Sequence, residues 1–188
     1  IYPHHFNLSR VTLLDSPMKR AMDLNIRVLL DYDADRLLTP FVRQAGLTTG
    51  RYANWIARHP NFQNWGGDGF DLSGHVGGHY LSALAMAYAA CKDPATRALL
   101  KERLDYMVAV LKDCQDVYRH DNSGLRGFLG GQPINDVWRQ LYQGNAAAFD
   151  AVRGWVPFYC EHKVMAGLRD AFLYAGNKTA KGMFRDMA

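Results

Sequence analysis

The feature that most constrains the fold of this chain is a helical pattern that occurs twice, 84 residues apart. The two copies are compared by aligning Asp93 with Asn177. In each copy a helix contains a small, an apolar and an aromatic residue, a turn with Asp or Asn follows it, and another helix comes after the turn. The aligned pairs are Ala83 with Gly167, Leu84 with Leu168, Ala87 with Ala171 and Tyr88 with Phe172. A repeated helical hairpin packs beside its copy, so the repeat predicts a toroid or an α-solenoid.

Helical spacing of apolar residues predicts five main helices and an all-α fold, since strand signals are weak. The first helix begins after Ser16, with Pro17 at its first position, and a short helical piece that ends at Pro40 follows. The others are predicted from about His75 to Lys92, from Ala95, directly after Asp93-Pro94, to Tyr118, over residues 157–176 and from Asn177 onwards. Residues 46–74 and 119–154 are predicted to be loops, because they contain many glycines and lack a period.

Length and charge limit the possible functions. A chain of 188 residues fits a single domain over 1–188, and a net charge of +4 on scattered basic residues does not indicate nucleic-acid binding. No apolar run reaches transmembrane length, so no membrane partner is expected. Cys91, Cys114 and Cys160 lack zinc-motif spacing and are predicted to be buried thiols. Because the chain begins at Ile1 and ends within a helical pattern, we expect a fragment of a longer protein.

Two histidines on either side of a Gly-Gly pair mark the segment "DLSGHVGGHY". His75 and His79 are four residues apart and would share one face of a helix. Three interpretations stay open. They are a metal pair completed by Asp68, Asp71 or His162, a pair of helix-capping residues bonded to the backbone, and a pair that hydrogen-bonds a substrate. The neighbouring loop, rich in Trp and Gly, favours substrate binding.

Three glycines, Gly74, Gly77 and Gly78, are expected to loosen the first turn of this helix and to leave backbone N–H groups open. An open helix N-terminus beside imidazoles suits a ligand that carries hydroxyl groups or negative charge.

A second group of candidate residues opens the fourth predicted helix: Trp155, Tyr159, His162 and Lys163. In the repeat alignment, His162 falls one position before the equivalent of His79. Both helices therefore present an imidazole at equivalent ends, which predicts a shared pocket. Three tryptophans, Trp55, Trp65 and Trp155, lie in loop-like or helix-entry segments, where a large ring needs either cover or a ligand.

Acidic residues and cysteines are weaker candidates. Carboxylate pairs for glycoside chemistry could come from Asp68, Asp71, Asp136, Asp150 and Glu161, each interpreted as a solvated loop acid or a helix cap. Cys160 lies two residues before His162 and would point to another face of the helix, so it is not predicted to be a nucleophile.

Four collinear segments resemble the N-terminal part of the β-L-arabinofuranosidase-type glycoside hydrolases. They are "VTLLDSPMKRAMDLNIRVLLDYDADRLLTPFVRQAGL", "LSGHVGGHYLSALAMAYAACKD", "KERLDYMVAVLKDCQ" and "WVPFYCEHKVMAGLRDAFLYAGN". The resemblance extends from about Leu13 to Asn177. It implies a partial, truncated (α/α)6 toroid built from helical hairpins, and an activity that hydrolyses L-arabinofuranosides of plant glycans with retention.

In characterised members of that family, a cysteine nucleophile and a zinc ion held by glutamate and cysteine carry the chemistry. These motifs lie C-terminal to every segment that matches here. The resemblance therefore carries over no catalytic residue and no metal ligand, and the zinc ligands of the full-length family are expected outside this sequence.

The resemblance implies that His75, His79 and His162 are sugar-binding positions. The complete set of candidate substrate-binding residues also contains Trp65, Asp68, Trp155 and Lys163. In "NWGGDGFDLSGH", Asp68 or Asp71 stands where family members often have a glutamate, which leaves the preferred sugar open.

The predicted function is the N-terminal portion of a periplasmic or extracellular glycoside hydrolase, which binds carbohydrate and needs the rest of its parent protein for activity. Two other classes stay open: a non-catalytic α-helical carbohydrate-binding or scaffold module, and a uronate lyase or epimerase. In the last class, His79 or His162 would act as the base. Activity on neutral and acidic sugars would separate the first class from the last.

Overall fold

The structure, a computed structural model, describes residues 6–62, 72–152 and 156–188. This part of the chain is all-α, as predicted, with eight α-helices and no strand. The helices are α1 Pro17–Asp31, α2 Ala34–Ala45, α3 Trp55–Arg58, α4 His75–Ala90, α5 Pro94–Asp116, α6 Asn135–Tyr142, α7 Pro157–Ala175 and α8 Lys178–Met187. None of these helices is long and apolar enough to cross a lipid bilayer.

The two hairpins of the sequence repeat lie side by side. Helix α4 packs against α5, α7 packs against α8, and the largest helix–helix interface joins α4 to α7. The apolar core lies mainly between α2, α4, α5 and α7, and its largest fully buried side chains include Leu37, Phe41, Leu81, Leu84, Leu104, Met107 and Leu168. The predicted hairpin repeat is therefore the framework of the described part of the chain.

Glycines make the α4–α7 interface close. A Cβ atom on Gly78 would lie 2.3 Å from the carbonyl oxygen of Lys163, and one on Gly167 would lie 2.6 Å from that of Gly78. The prediction that Gly77 and Gly78 loosen the first turn is wrong, because both are buried within α4. Their missing side chains let neighbouring helices approach, whereas Gly74 ends the preceding loop at φ 94°.

The prediction that the second helical piece ends at Pro40 is also wrong, since α2 continues to Ala45. Proline removes one backbone hydrogen bond from a helix interior. Here the residues on both sides of it, including Phe41 and Val42, are buried in the core. Packing of this buried face of α2 outweighs the tendency of proline to end a helix. The helix is capped instead by Gly46, whose φ is 68°.

The two predicted loops contain short helices. Residues 46–74 include α3, whose Trp55 is buried and donates a hydrogen bond from Nε1 to the hydroxyl of Thr39 at 3.0 Å. Residues 119–154 include α6 and a 3₁₀ segment, Ala146–Val152. Helices this short are held in place by a few tertiary contacts. They are also too short for apolar residues to repeat at helical spacing, so the sequence does not predict them.

Candidate functional site

The N-terminus of α4 fixes His75. Its Nδ1 donates a hydrogen bond to the carbonyl oxygen of Leu72 at 2.6 Å, which places a proton on that nitrogen. The side chain is 5% exposed. The backbone interpretation is therefore correct for this histidine, and the bond leaves Nε2 as its second polar atom.

His79 lies one turn further along α4 and is exposed. Its ring centroid is 5.9 Å from that of His75, and the two ring planes are nearly perpendicular, at 84°. Its Nε2 is 3.1 Å from the phenolic oxygen of Tyr159 on α7. The helical spacing predicted from sequence thus brings the two imidazoles together, and α7 supplies a third ring.

Helix α7 contributes Tyr159, His162 and Lys163 to the same place. The Tyr159 ring lies 5.7 Å from the ring of His75, and the Lys163 ammonium lies 4.9 Å from the centroid of the Tyr159 ring. His162 lies near enough to His79 to help lower the pKa of that imidazole. We call His75, His79, Tyr159, His162 and Lys163 the imidazole cluster.

The surroundings of His79 keep it neutral. Burial lowers the pKa of His79 below its ordinary 6.5, and the nearby Lys163, His75 and His162 lower it further. A neutral imidazole donates one hydrogen bond and accepts another. At neutral pH the cluster therefore offers donors and acceptors together, which is what a group of sugar hydroxyls requires.

Four of the seven residues predicted to bind substrate thus lie in this cluster: His75, His79, His162 and Lys163. The other three, Trp65, Asp68 and Trp155, lie outside the described residues, and so does Asp71. Tyr159 also belongs to the cluster. The sequence grouped it with His162 and Lys163 at the start of this helix but did not assign it to the substrate-binding set, although its position one turn before them places it on the same face.

Glu161 was misinterpreted as a solvated acid or a cap. Both of its carboxyl oxygens are buried, and no hydrogen-bond partner for them occurs in the described part of the chain. This burial raises the pKa of Glu161 from 4.5 to about 8. The spacing of Phe158, Glu161 and Met165 places the acid on an apolar face of α7, a signal that the sequence already contained.

The described residues do not favour metal binding by the His75–His79 pair. Among them, the one group of three suitable side chains that converge is Asp33, Asp35 and His59. That group has structural roles, because Asp33 caps α2 and Asp35 accepts a hydrogen bond from Tyr106. No cysteine belongs to such a group in this part of the chain, so these residues do not fit the glutamate-and-cysteine zinc site of the resembled family.

All three cysteines are buried and none forms a disulfide, as predicted. Cys160 is 1% exposed, which agrees with not predicting it to be a nucleophile. Burial raises the pKa of the Cys114 thiol to about 12, so that sulfur stays protonated and a poor nucleophile at neutral pH.

Comparison with models of protein families matches residues 10–188 to a family described as β-L-arabinofuranosidase, GH127 catalytic domain. Comparison with curated proteins gives no match. The matched range includes every residue of the imidazole cluster, and it confirms the resemblance seen in the four sequence segments.

Proposed function

Because the chain belongs to the GH127 β-L-arabinofuranosidase catalytic-domain family, a family of glycoside hydrolases, we propose that its imidazole cluster binds the sugar to be hydrolysed. The substrates proposed are L-arabinofuranosides or related sugars of plant glycans. The observation that supports this most is the convergence of three histidines, a tyrosine and a lysine where α4 crosses α7.

Each group of the cluster has a distinct role in this proposal. His79 and Tyr159 already share a hydrogen bond and would exchange it for bonds to sugar hydroxyls. The exposed His162 and the partly buried Lys163 add donors beside them. His75, held by the Leu72 carbonyl, keeps its ring against Tyr159 and limits how the cluster can rearrange. Sites that are held in place before binding lose less entropy when a ligand arrives.

The catalytic nucleophile is proposed to lie elsewhere in the protein. The cysteines of this chain are buried, and the described residues contain no converging group of cysteines and carboxylates. Zinc, if bound by the intact protein as in the resembled family, would likewise use ligands outside this chain. The contribution proposed for these residues is recognition and orientation of the sugar.

A periplasmic or extracellular location follows from the proposed substrate, because plant polysaccharides do not cross a membrane intact. A signal that directs export of the parent protein would support this location.

A second candidate is a uronate lyase or epimerase. It is favoured by the cationic character of the cluster, since Lys163 lies beside three imidazoles and would attract a carboxylated sugar. The neutral His79 would then act as the base. Turnover of a uronate-containing oligosaccharide, with none of an arabinofuranoside, would support this candidate.

The proposed function is tested by calorimetric titration with methyl β-L-arabinofuranoside. His79→Ala and His162→Ala are each expected to weaken binding by about tenfold, because each substitution removes a hydrogen bond to the ligand. His120→Ala is the matched control, since it removes another exposed imidazole, in the segment after α5. Equal affinity in all four proteins would overturn the assignment of the cluster.

A further inference from the structure

A separate cavity lies beside α7 at Glu161, the residue that precedes His162 in the chain. It has a volume of about 460 Å³ and is formed by α6, α7, the segment 124–128, the 3₁₀ segment Ala146–Val152 and the end of α8. Its main walls are Phe128, Trp138, Phe149, Phe158, Glu161 and Met165. We call it the aromatic cavity. Its volume falls in the range of about 300–1,000 Å³ that is typical of small-molecule sites.

Four aromatic rings form the walls. The rings of Trp138 and Phe158 lie 5.3 Å apart at 69°, and Phe149 lies 5.3 Å from Phe158. Phe128 contacts Trp138 at a ring distance of 6.3 Å. Phe158 is 64% exposed, so this side of the cavity opens to solvent. Flat apolar faces of this kind stack against the C–H face of a planar or ring-shaped ligand.

Two polar groups in these walls have no partner among the described residues. They are the carboxyl group of Glu161 and the indole Nε1–H of Trp138, and all three of their polar atoms are buried. A buried polar group without a hydrogen bond is costly, at about 1–3 kcal/mol. Native structures contain few such groups, and each one calls for an explanation. Because all three atoms are buried, a ligand in the cavity would reach them only after the surrounding side chains move slightly aside, and its polar groups would then supply the missing partners.

The backbone is shaped to accept this acid. A Cβ atom on Gly130 would lie 2.4 Å from Oε1 of Glu161 and 2.5 Å from the Phe128 ring. The missing side chain at position 130 therefore leaves room for the carboxyl group while Phe128 keeps its place in the wall. An apolar side chain at position 161 would fill the same space without leaving unpaired oxygens.

The chemistry of the orphaned groups limits the class of ligand. The indole needs an acceptor, and a protonated carboxyl group needs both an acceptor and a donor. Hydroxyl groups are donors and acceptors at once, whereas an ammonium group offers donors alone. With its pKa raised to about 8 by burial, Glu161 is neutral at neutral pH, and the cavity then favours a neutral ligand over a cation.

We propose that the aromatic cavity is a second carbohydrate site, in which one neutral sugar residue stacks on the aromatic rings and its hydroxyls bond to Glu161 and to Trp138 Nε1. The inference deepens the proposed function, because it rests on a carbohydrate substrate for the protein. A second site beside the first would hold another part of a branched or extended glycan.

Nuclear magnetic resonance of the indole N–H groups tests this site directly. Trp138→Phe identifies the Trp138 resonance by its loss, and the wild-type protein is then titrated with L-arabinose and, separately, with choline. The Trp138 resonance is expected to shift saturably with L-arabinose and to stay in place with choline. A shift with choline alone would overturn the proposal in favour of a cation site, and no shift with either probe would overturn it altogether.

Two substitutions of the acid complete the test. Glu161→Gln keeps a donor and an acceptor, so L-arabinose is expected to bind within about threefold of wild type, whereas Glu161→Leu is expected to weaken binding about tenfold. Equal binding by the leucine variant contradicts the proposal. His79→Ala should leave the Trp138 shift unchanged, so failure at the aromatic cavity is distinguished from failure at the imidazole cluster.

Discussion

At the scale of single residues, His79 shows how neighbours determine chemistry. Its hydrogen bond to Tyr159 and its position near Lys163 follow from the meeting of two helices, and sequence spacing predicted that meeting. Sequence could not predict the protonation state, because desolvation depends on how closely the surrounding groups pack.

Replacing Lys163 by methionine is expected to raise the pKa of His79 towards 6.5. The substitution removes the positive charge of Lys163, which helps to lower this pKa. Burial, the largest cause of the lowered pKa, would remain, so the pKa of His79 would rise only part of the way. The measurement is a titration of the imidazole resonances. Lys112→Met, which removes a lysine paired with Asp116 on α5, is the control and should leave His79 unchanged. An unchanged His79 titration in Lys163→Met would contradict the electrostatic coupling.

Glu161 makes stability depend on pH. Its folded-state pKa, about 8, lies above the ordinary 4.5, so the folded state holds a proton that the unfolded state releases between these values. The free energy of unfolding is therefore highest below the ordinary pKa and falls as pH rises towards the folded value, by up to about 1.4 kcal/mol per pH unit. Glu161→Gln removes this contribution.

Urea denaturation from about pH 5 to about pH 8 measures this effect. The glutamine variant should lose less stability across that range than wild type and should be the more stable protein at the alkaline end. Glu102→Gln, at an exposed position on α5, is the control and should follow wild type. Parallel stability profiles for wild type and Glu161→Gln would show that the acid is not buried in its neutral form.

At the scale of elements, the α4–α7 crossing positions the imidazole cluster. Gly78→Ala places a Cβ atom 2.3 Å from a backbone oxygen of α7, which cannot move aside as a flexible side chain could. We expect a loss of about 1–3 kcal/mol or more in the free energy of unfolding, with weaker sugar binding because His79 and Lys163 separate.

Gly182→Ala is the matched control for that substitution. Gly182 lies within α8, and a Cβ atom added there would have no neighbouring atom within 4 Å. Alanine there should stabilise the protein by roughly 0.5–1 kcal/mol, since glycine is a poor residue in a helix interior. If both alanine variants had the same stability, close helix approach would not be the reason for Gly78.

Sequence predicted the long helices well and the short ones poorly. The starts of α1, α4, α5, α7 and α8 coincide with the predicted starts to within a residue or two, because caps and apolar period act locally. The end of α2 and the existence of α3 and α6 depend on tertiary packing, as the burial of Phe41 and Trp55 shows. Local pattern contains no information about such contacts.

At the scale of the whole molecule, the repeat predicted that two hairpins lie side by side, and the structure confirms this arrangement. The partial (α/α)6 toroid stays a prediction, as do the roles of Trp65, Asp68 and Trp155. The aromatic cavity could not be predicted, because Phe128, Trp138 and Phe149 come from a segment without a period and meet Glu161 only in the folded chain.

The 188-residue chain is expected to bind a β-L-arabinofuranoside without hydrolysing it, because its cysteines are buried and its described residues offer no activated nucleophile. An assay with a chromogenic β-L-arabinofuranoside measures turnover, and heat-treated chain gives the background rate. Turnover above background would contradict the proposal that the catalytic nucleophile lies outside these residues. Binding without turnover in the intact parent protein would favour a carbohydrate-binding module instead.

The imidazole cluster is proposed to contact the sugar directly. The most direct measurement follows the imidazole resonances of His79, His162 and His120 during a titration with methyl β-L-arabinofuranoside. His79 and His162 are expected to shift together with one dissociation constant while His120 stays in place. Saturable binding that leaves His79 and His162 unmoved would contradict this proposal.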